Sequence, residues 1–426
     1  MPLSDCECDQ LALNNFQKYL RFATVHPDPD YSAAVIWLKE QAKELDLKIY
    51  SKEIVRGHPI LLLEWTGKDT TMPAIMCNSH MDVVPVYSEK WTYPPFEAQI
   101  HNNKIYARGA QDMKCVGIQQ LESIRRLKAR GIDRLLRTVY VIFTPDEEVG
   151  GGKGWNLLIE DKSPESHDLV NDFSFHDLNI ALYLDEGLAH PTDQYVAFFN
   201  ERVTLELTIT CFGNTGHGSS FLPNTAIEKA HKIIDRLLEF RSGQEQLLKE
   251  NERLELGDVC TLNVTTLKGG VQLNVVPAQI EIGVNIRVTP SRMTQEIEKI
   301  VEDICKSVDP ATTIHYHVRR LYPDRCDSHP PENKWWTALH QVCQEAGIKL
   351  TPKIFQGATD ARYLRAYHKL DNTPSQKRIP IEVINFSPMR NTPVLLHDHD
   401  EHLDINVFIE GCRVYTDFLH AIGNLD

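Results

Sequence analysis

The chain has 426 residues, 42% of them hydrophobic and 24% charged, and a formal net charge of −14. That length provides for two or three domains of roughly 100–200 residues each, with the composition of an ordinary globular protein. The acidic balance argues against nucleic acid or an anionic membrane as the main partner, and no run approaches the ~18 consecutive apolar residues of a membrane helix.

The opening "MPLSDCECDQ" has neither the basic nor the apolar region of a secretory signal. The ten cysteines are scattered with no C-x-x-C pair, which fits free thiols in a reducing, cytoplasmic setting. In "DYSAAVIWLKEQAKELDLK", the spacing of Ala34, Ile36, Leu38, Ala42 and Leu45 predicts a helix. Three short apolar runs follow, each ending in acids or histidine: "PAIMCNSHMD", "RTVYVIFTPDEEVGG" and "NIALYLDEG". Their length and β-branched content predict buried strands. Between the first two, Val116, Leu121, Ile124 and Leu127 mark a helix face, with Gly131 as its stop. Strand, helix, strand and strand with long connections predict an α/β sheet whose ligands bind beyond the carboxyl ends of the strands.

From residue 199 the pattern changes. "RVTLELTITCFG" alternates like a half-exposed antiparallel strand. "TAIEKAHKIIDRLLEF" then carries Ala226, Ala230, Ile233, Ile234, Leu237 and Leu238 at helical spacing. Further alternating and helical stretches complete a β-α-β-β-α-β order, that of a small α+β sandwich. After Pro323 the α/β character returns, with "HKLDNTPSQKRIP" reading as a surface loop. The expected architecture is α/β: a mixed sheet flanked by helices over residues 1–198 and 321–426, interrupted by an inserted α+β domain over 199–320, with hinges near 198 and 321.

In a strand, residues i and i+2 share a face, so His80 and Asp82 lie side by side at a strand tip. A carboxylate there fixes the tautomer of a metal-binding imidazole; the same pair equally describes a buried hydrogen bond that ties down a strand end. Asp112 precedes a helix, where aspartate commonly caps. The acids Asp146, Glu147 and Glu148 follow an apolar run and precede glycines, Asp185 and Glu186 repeat that pattern, and "LLHDHDEH" supplies His397, His399 and His402. So much negative charge at one sheet edge is costly unless cations neutralise it. Imidazole with carboxylate suits zinc, with cobalt or manganese as alternatives, and there are donors enough for two ions with a bridging carboxylate, a hydrolytic arrangement.

The ordered motifs "SHMDVVP", "RGAQDMK", "PDEEVGG", "LDEG", "TGHGS", "GATDAR" and "HDHDE" resemble those of the co-catalytic zinc peptidases and amidohydrolases, a family that includes carboxypeptidase G and acetylornithine deacetylase. "YARGAQDMKCV" and "FSPMRNTPVLLHDHDEHL" resemble more narrowly its aminoacylase branch, the N-acyl-L-amino-acid amidohydrolases. The resemblance implies a zinc-peptidase-like catalytic domain with two zinc ions per subunit. His80 and Glu186 would hold one, Glu148 and His397 the other, and Asp112 would bridge, with a cis peptide at Asp112–Met113. In the doublet Asp185–Glu186, much of the family uses an aspartate and the aminoacylases a glutamate. His397 is preferred over His399 because the family spaces its histidine four positions before a glutamate, here Glu401. Asp82 would orient His80, and Glu147 would serve as general base.

His217 resembles the histidine that an inserted domain donates to the partner subunit's oxyanion, which implies a homodimer through that domain; on sequence alone a histidine between glycines is more often a turn residue. Asn274, Arg287 and Arg362 resemble substrate-binding positions, the arginines suiting a free carboxylate. The family's aspartate two residues before Arg287 is here Asn285, which removes a charge beside that arginine. The implied activity is hydrolysis of small N-acyl amino acids. The alternatives are a dipeptidase or another N-deacylase on the same scaffold, or a silent zinc-binding scaffold protein.

Overall fold

The computed structural model describes residues 3–160, 173–319, 330, 332–367 and 380–426. Two compact units emerge: one of Met1–Phe199, Pro330–Lys353 and Thr359–Asp426, the other of Asn200–His329 and Ile354–Ala358. The expected boundary and hinge at 321 and the expected loop at 368–379 lie outside the described residues.

The first unit is organised by an eight-stranded mixed sheet. Its spatial order is Lys48–Val55, His58–Trp65, Val139–Thr144, Ala74–His80, Ile180–Asp185, Glu382–Phe386, Gln194–Glu201 and Lys349–Phe355. Ala74–His80 pairs parallel with both Val139–Thr144 and Ile180–Asp185. In that register His80 lies opposite Thr144, so the three apolar runs deliver their polar ends to one edge. Every residue of Ala74–His80 is buried, which is why this strand reads as a run rather than an alternation.

Helices Asp5–Leu20, Ser32–Glu44, Lys114–Ala129, Lys334–Glu345 and Ile405–Gly423 contribute to the main core with the sheet. A second cluster, built on Trp155, Tyr183 and Leu364, includes the short helices Trp155–Ile159 and Ala361–Tyr367. Lys114–Ala129 is buried on all sides, more than its apolar stripe predicts, because its polar residues pair internally: Glu122 accepts from Asn15 at 2.7 Å and from Arg125 at 3.0 Å. Gly117 lets this helix approach the strand bearing His80; a Cβ there would stand 2.5 Å from Ser79 Oγ. The helix stops before Gly131, whose φ of 80° suits a residue without a side chain. The Asp112–Met113 peptide is cis.

Within Ser32–Glu44 one expected core position is corrected. Ile36 is 60% exposed, and the inward face is instead Ala34, Trp37, Leu38, Gln41 and Ala42. Trp37 fills the place by stacking on Tyr19 with ring centroids 5.7 Å apart.

The second unit is a four-stranded antiparallel sheet in the order Thr261–Gly269, Gln279–Val288, Val203–Phe212 and Thr313–Arg319. Helices Ala226–Glu250 and Thr294–Val308 cover the face bearing Leu205, Leu207, Ile209, Ile282 and Val284. The longer helix starts with a capping box, Thr225 to Glu228 and back, and buries Ala226, Ala230, Ile233 and Leu237, while Leu238 turns outward. A two-residue pairing, Gly216–His217 with Val275–Val276, forms a small sheet of its own.

Candidate active site

His80 ends its strand, and its Nε2 stands 3.0 Å from Asp112 Oδ1 and 3.6 Å from Glu186 Oε2. The other oxygen of Asp112 lies 3.3 Å from His397 Nε2, which is itself 3.0 Å from Glu148 Oε2. The donors therefore fall into two groups that share Asp112: His80, Asp112 and Glu186, and Asp112, Glu148 and His397, with donor atoms in each group within 4.8 Å of one another. The positions read from the sequence as metal donors thus gather in one place within the first unit. Asp185 stands apart from both groups; its Oδ1 accepts from Asn78 and from the Glu186 amide, each at 2.9 Å. His399 packs edge-on against Tyr87 and His402 meets Lys104, so of the three nearby histidines His397 is the one that joins the donors.

Burial and mutual charge set the electrostatics. Burial and the neighbouring Asp112 charge push Glu148 up to about 8 and raise Glu186 well above the usual carboxyl range. Burial opposes ionisation of Asp112 too, but hydrogen bonds from His397 and His80 hold it low. His397, bonded to Asp112 and then Glu148, is raised to about 10. Glu148 Oε1 is buried and has no hydrogen-bond partner among the described residues. An unsatisfied buried carboxyl oxygen, in a cluster where burial pushes Glu148 and Glu186 upward, fits a place where a cation would supply the missing charge. Nitrogen and oxygen donors of this kind fit a divalent metal.

Asp82 departs from the simple picture of a carboxylate clamped on His80. The imidazole Nδ1 meets the Asp82 backbone carbonyl at 2.9 Å, with Oδ1 at 3.5 Å. The Asp82 carboxylate accepts from the backbone amides of Glu147 at 3.2 Å and Glu148 at 3.0 Å, and from His26 at 2.8 Å. Glu147 carries an ion pair: Arg362 donates to its Oε1 at 3.0 Å, and burial still raises the carboxyl despite that guanidinium. Glu401 accepts from Arg108, Gly109 and Gln111 at 2.7, 3.0 and 2.6 Å and so ties the loop before Asp112 to the loop bearing His397.

His217, Asn274 and Arg287 belong to the second unit. His217 and Asn274 are exposed, and His217 Nδ1 meets Ser219 Oγ at 2.7 Å. Arg287 donates to Thr204 at 2.7 Å, while Asn285 donates across the sheet to Glu206 at 2.9 Å. His26 and the clamping part of Glu401 are absent from the sequence reading. "TVHPDPDY" carries no motif, and the partner of His26 lies 56 positions away. No local signal announces it.

Carboxylates and imidazoles sharing an aspartate beyond the carboxyl ends of parallel strands are the donor set of a metal-dependent hydrolase. The sequence model of peptidase family M20/M25/M40 matches residues 76–421, and the chain belongs to that family. It is a hydrolase acting on amides, of a metal-dependent family. Aminoacylase-1 of Homo sapiens is 40% identical over 411 residues, 96% of this chain and 95% of that protein. Among solved structures, an M20 family metallo-carboxypeptidase from Sulfolobus solfataricus shares the fold at a TM-score of 0.71 and 17% identity, covering 97% of this chain and 99% of the other. The Bacillus subtilis YXEP protein, described as a dinuclear metal binding peptidase, shares it at 0.63 and 15% identity, covering 97% and 98%. No helix among the described residues is long and apolar enough to cross a membrane.

Proposed function

We propose that the chain hydrolyses N-acyl-L-amino acids to a free amino acid and a carboxylate, using two zinc ions per subunit. His80 and Glu186 would hold one ion, Glu148 and His397 the other, with Asp112 between them. The observation that carries this reading is that the two oxygens of Asp112 face different imidazoles. Aminoacylase-1, similar over nearly the whole chain, supports the substrate class. When bound, a pair of such ions supplies Lewis acidity toward an acyl carbonyl and lowers the pKa of water.

The chain's own residues supply the rest. Glu147 takes a proton from the attacking water and returns it to the departing amine, as base and then acid. Asp82 holds the backbone beneath Glu147 and Glu148 through their amides. Arg362, buried beside Glu147, can pass its guanidinium to the free carboxylate of an arriving substrate, and Asn274 and Arg287 are further candidate substrate-binding positions.

His217 would donate to the oxyanion in a partner subunit, within a homodimer formed through the inserted domain, residues 199–320. Phe221 and Leu273, at 107% and 108% relative exposure, flank His217 and Asn274 and support an interface there, since large apolar side chains so exposed favour a covering surface. The buried, unpaired cysteines among the described residues support a cytoplasmic setting. A panel of N-acetyl amino acids and dipeptides, assayed with chelator and after zinc is returned, tests the reading. N-acetylmethionine should be cleaved and dipeptides cleaved poorly; preference for dipeptides would replace it with the dipeptidase assignment.

A further inference from the structure

The turn that carries Glu147 and Glu148 begins at Asp146, whose φ is 73°, and no side chain of its own caps it. The first amides of such a turn have no partner within it and must be satisfied from elsewhere. Asp82 satisfies them from 65 positions upstream, and Asp82 is fully buried. A buried carboxylate can hold two amides in place only if it is itself fixed.

The fixing comes from a short segment in the N-terminal part of the chain. His26 N donates to Val83 O at 3.1 Å, Val83 N donates to Thr24 O at 2.9 Å, and Val25 bridges Val83 in parallel register. Thr24 Oγ1 adds a bond to Met81 O at 2.5 Å. Residues 24–26 thus run as an extra strand along 81–83. This brings the His26 side chain, only 7% exposed, to 2.8 Å from Asp82 Oδ2. The same Oδ2 receives the Glu148 amide, so one oxygen is shared between the imidazole and the turn.

We propose that His26 is a positioning residue of the hydrolytic site, donating Nε2–H to Asp82 and thereby holding the turn that presents Glu147 and Glu148. The inference rests on the reading of those two residues as base and metal donor. It requires a donor at the position of Nε2 and no positive charge. Glutamine places its Nε2 the same number of bonds from Cα as histidine does, whereas the asparagine nitrogen falls one bond short and leucine offers no donor.

The test compares His26→Gln, His26→Asn and His26→Leu in the zinc-loaded full-length protein. Orienting partners of metal-site residues typically cost ~10–100-fold in metal affinity or activity when removed, so His26→Leu and His26→Asn should lose that much kcat on N-acetylmethionine. They should also release zinc to a competing chelator more readily, with KM nearly unchanged. His26→Gln, which keeps a donor at that position, should stay well short of the ~10-fold loss in both readouts. Thermal unfolding identifies any variant that has not folded, and the glutamine and asparagine variants keep the comparison alive if leucine does not. Parent-like kcat and zinc retention in His26→Leu overturns the inference. So does a folded His26→Gln as defective as His26→Leu, because the imidazole would then act by something other than donation. A parent that neither binds zinc nor cleaves an N-acyl amino acid overturns the site reading and this inference together.

Discussion

The two regions bearing polar side chains of chemical interest are built on opposite terms. At the carboxyl ends of the parallel strands, His80, Asp82, Asp112 and Glu186 are buried, and each is fixed by partners drawn from distant parts of the chain. In the four-stranded unit, His217 and Asn274 stand exposed at a two-residue strand pair, beside apolar side chains that none of the described residues covers. In the first region hydrogen bonds hold Asp82 and Asp112 in place, while Glu148 Oε1 stays buried without a partner among the described residues, so part of the cost of burying charge is left for a cation. The second offers donors without an environment.

The largest effect should come from emptying the first region. Chelation should abolish hydrolysis of N-acetylmethionine and added zinc should restore it, while far-UV circular dichroism stays near that of the loaded protein; activity that survives chelation would break the assignment of the buried cluster. Next, Glu147→Gln should lower kcat by ~10³–10⁴, at the upper end for a general acid–base residue, with zinc content measured by elemental analysis unchanged. His217→Ala should lower kcat by about 10²–10³, as for a lost oxyanion donor, and leave Tm within about a degree because the side chain is exposed. Mixing that variant with Glu147→Gln should recover activity if His217 works in a second subunit; no recovery would confine it to its own chain.

The smallest effect sharpens the electrostatic half of the contrast. Burial raises Glu148 and Glu186, and hydrogen bonds to Asp112 and Glu148 raise His397. Each contributes stability present below its ordinary value, 4.5 for glutamate and 6.5 for histidine, and lost as pH climbs through the folded value, about 8 for Glu148 and about 10 for His397. Asp82 and Asp112, held low, work in the opposite sense only as pH falls below 3.8. The metal-free protein should therefore lose Tm from about pH 5 to about pH 10, through Glu148 up to about 8 and His397 beyond it. Zinc must displace those protons, so the Tm gained on adding it should grow across the same window. A gain independent of pH, followed by scanning calorimetry, would show that the carboxyls do not hold protons.

Much of this was legible because buried parallel strands read as apolar runs, and the polar residues that end "PAIMCNSH" and "IALYLD" could only be strand tips. The doublet at 185–186 was not decidable from its own residues. Asn78, on the neighbouring strand, engages Asp185 and leaves Glu186 to face His80. A helical stripe drawn from aliphatics alone takes in the exposed Ile36 and passes over Trp37, which packs on Tyr19. The pairing of Arg362 with Glu147 was hidden for a different reason: both residues were visible, but their contact is set by a chain separation of 215 positions.

Glu401 has a consequence for how the protein is made. It receives the amide of Gln111 from 290 positions earlier. During synthesis, the loop before Asp112 leaves the ribosome long before the carboxylate that fastens it exists. A nascent chain arrested anywhere in that interval lacks Glu401 and, until its last few residues, His397, so the second donor group and the fastening of the loop before Asp112 belong to the finished polypeptide.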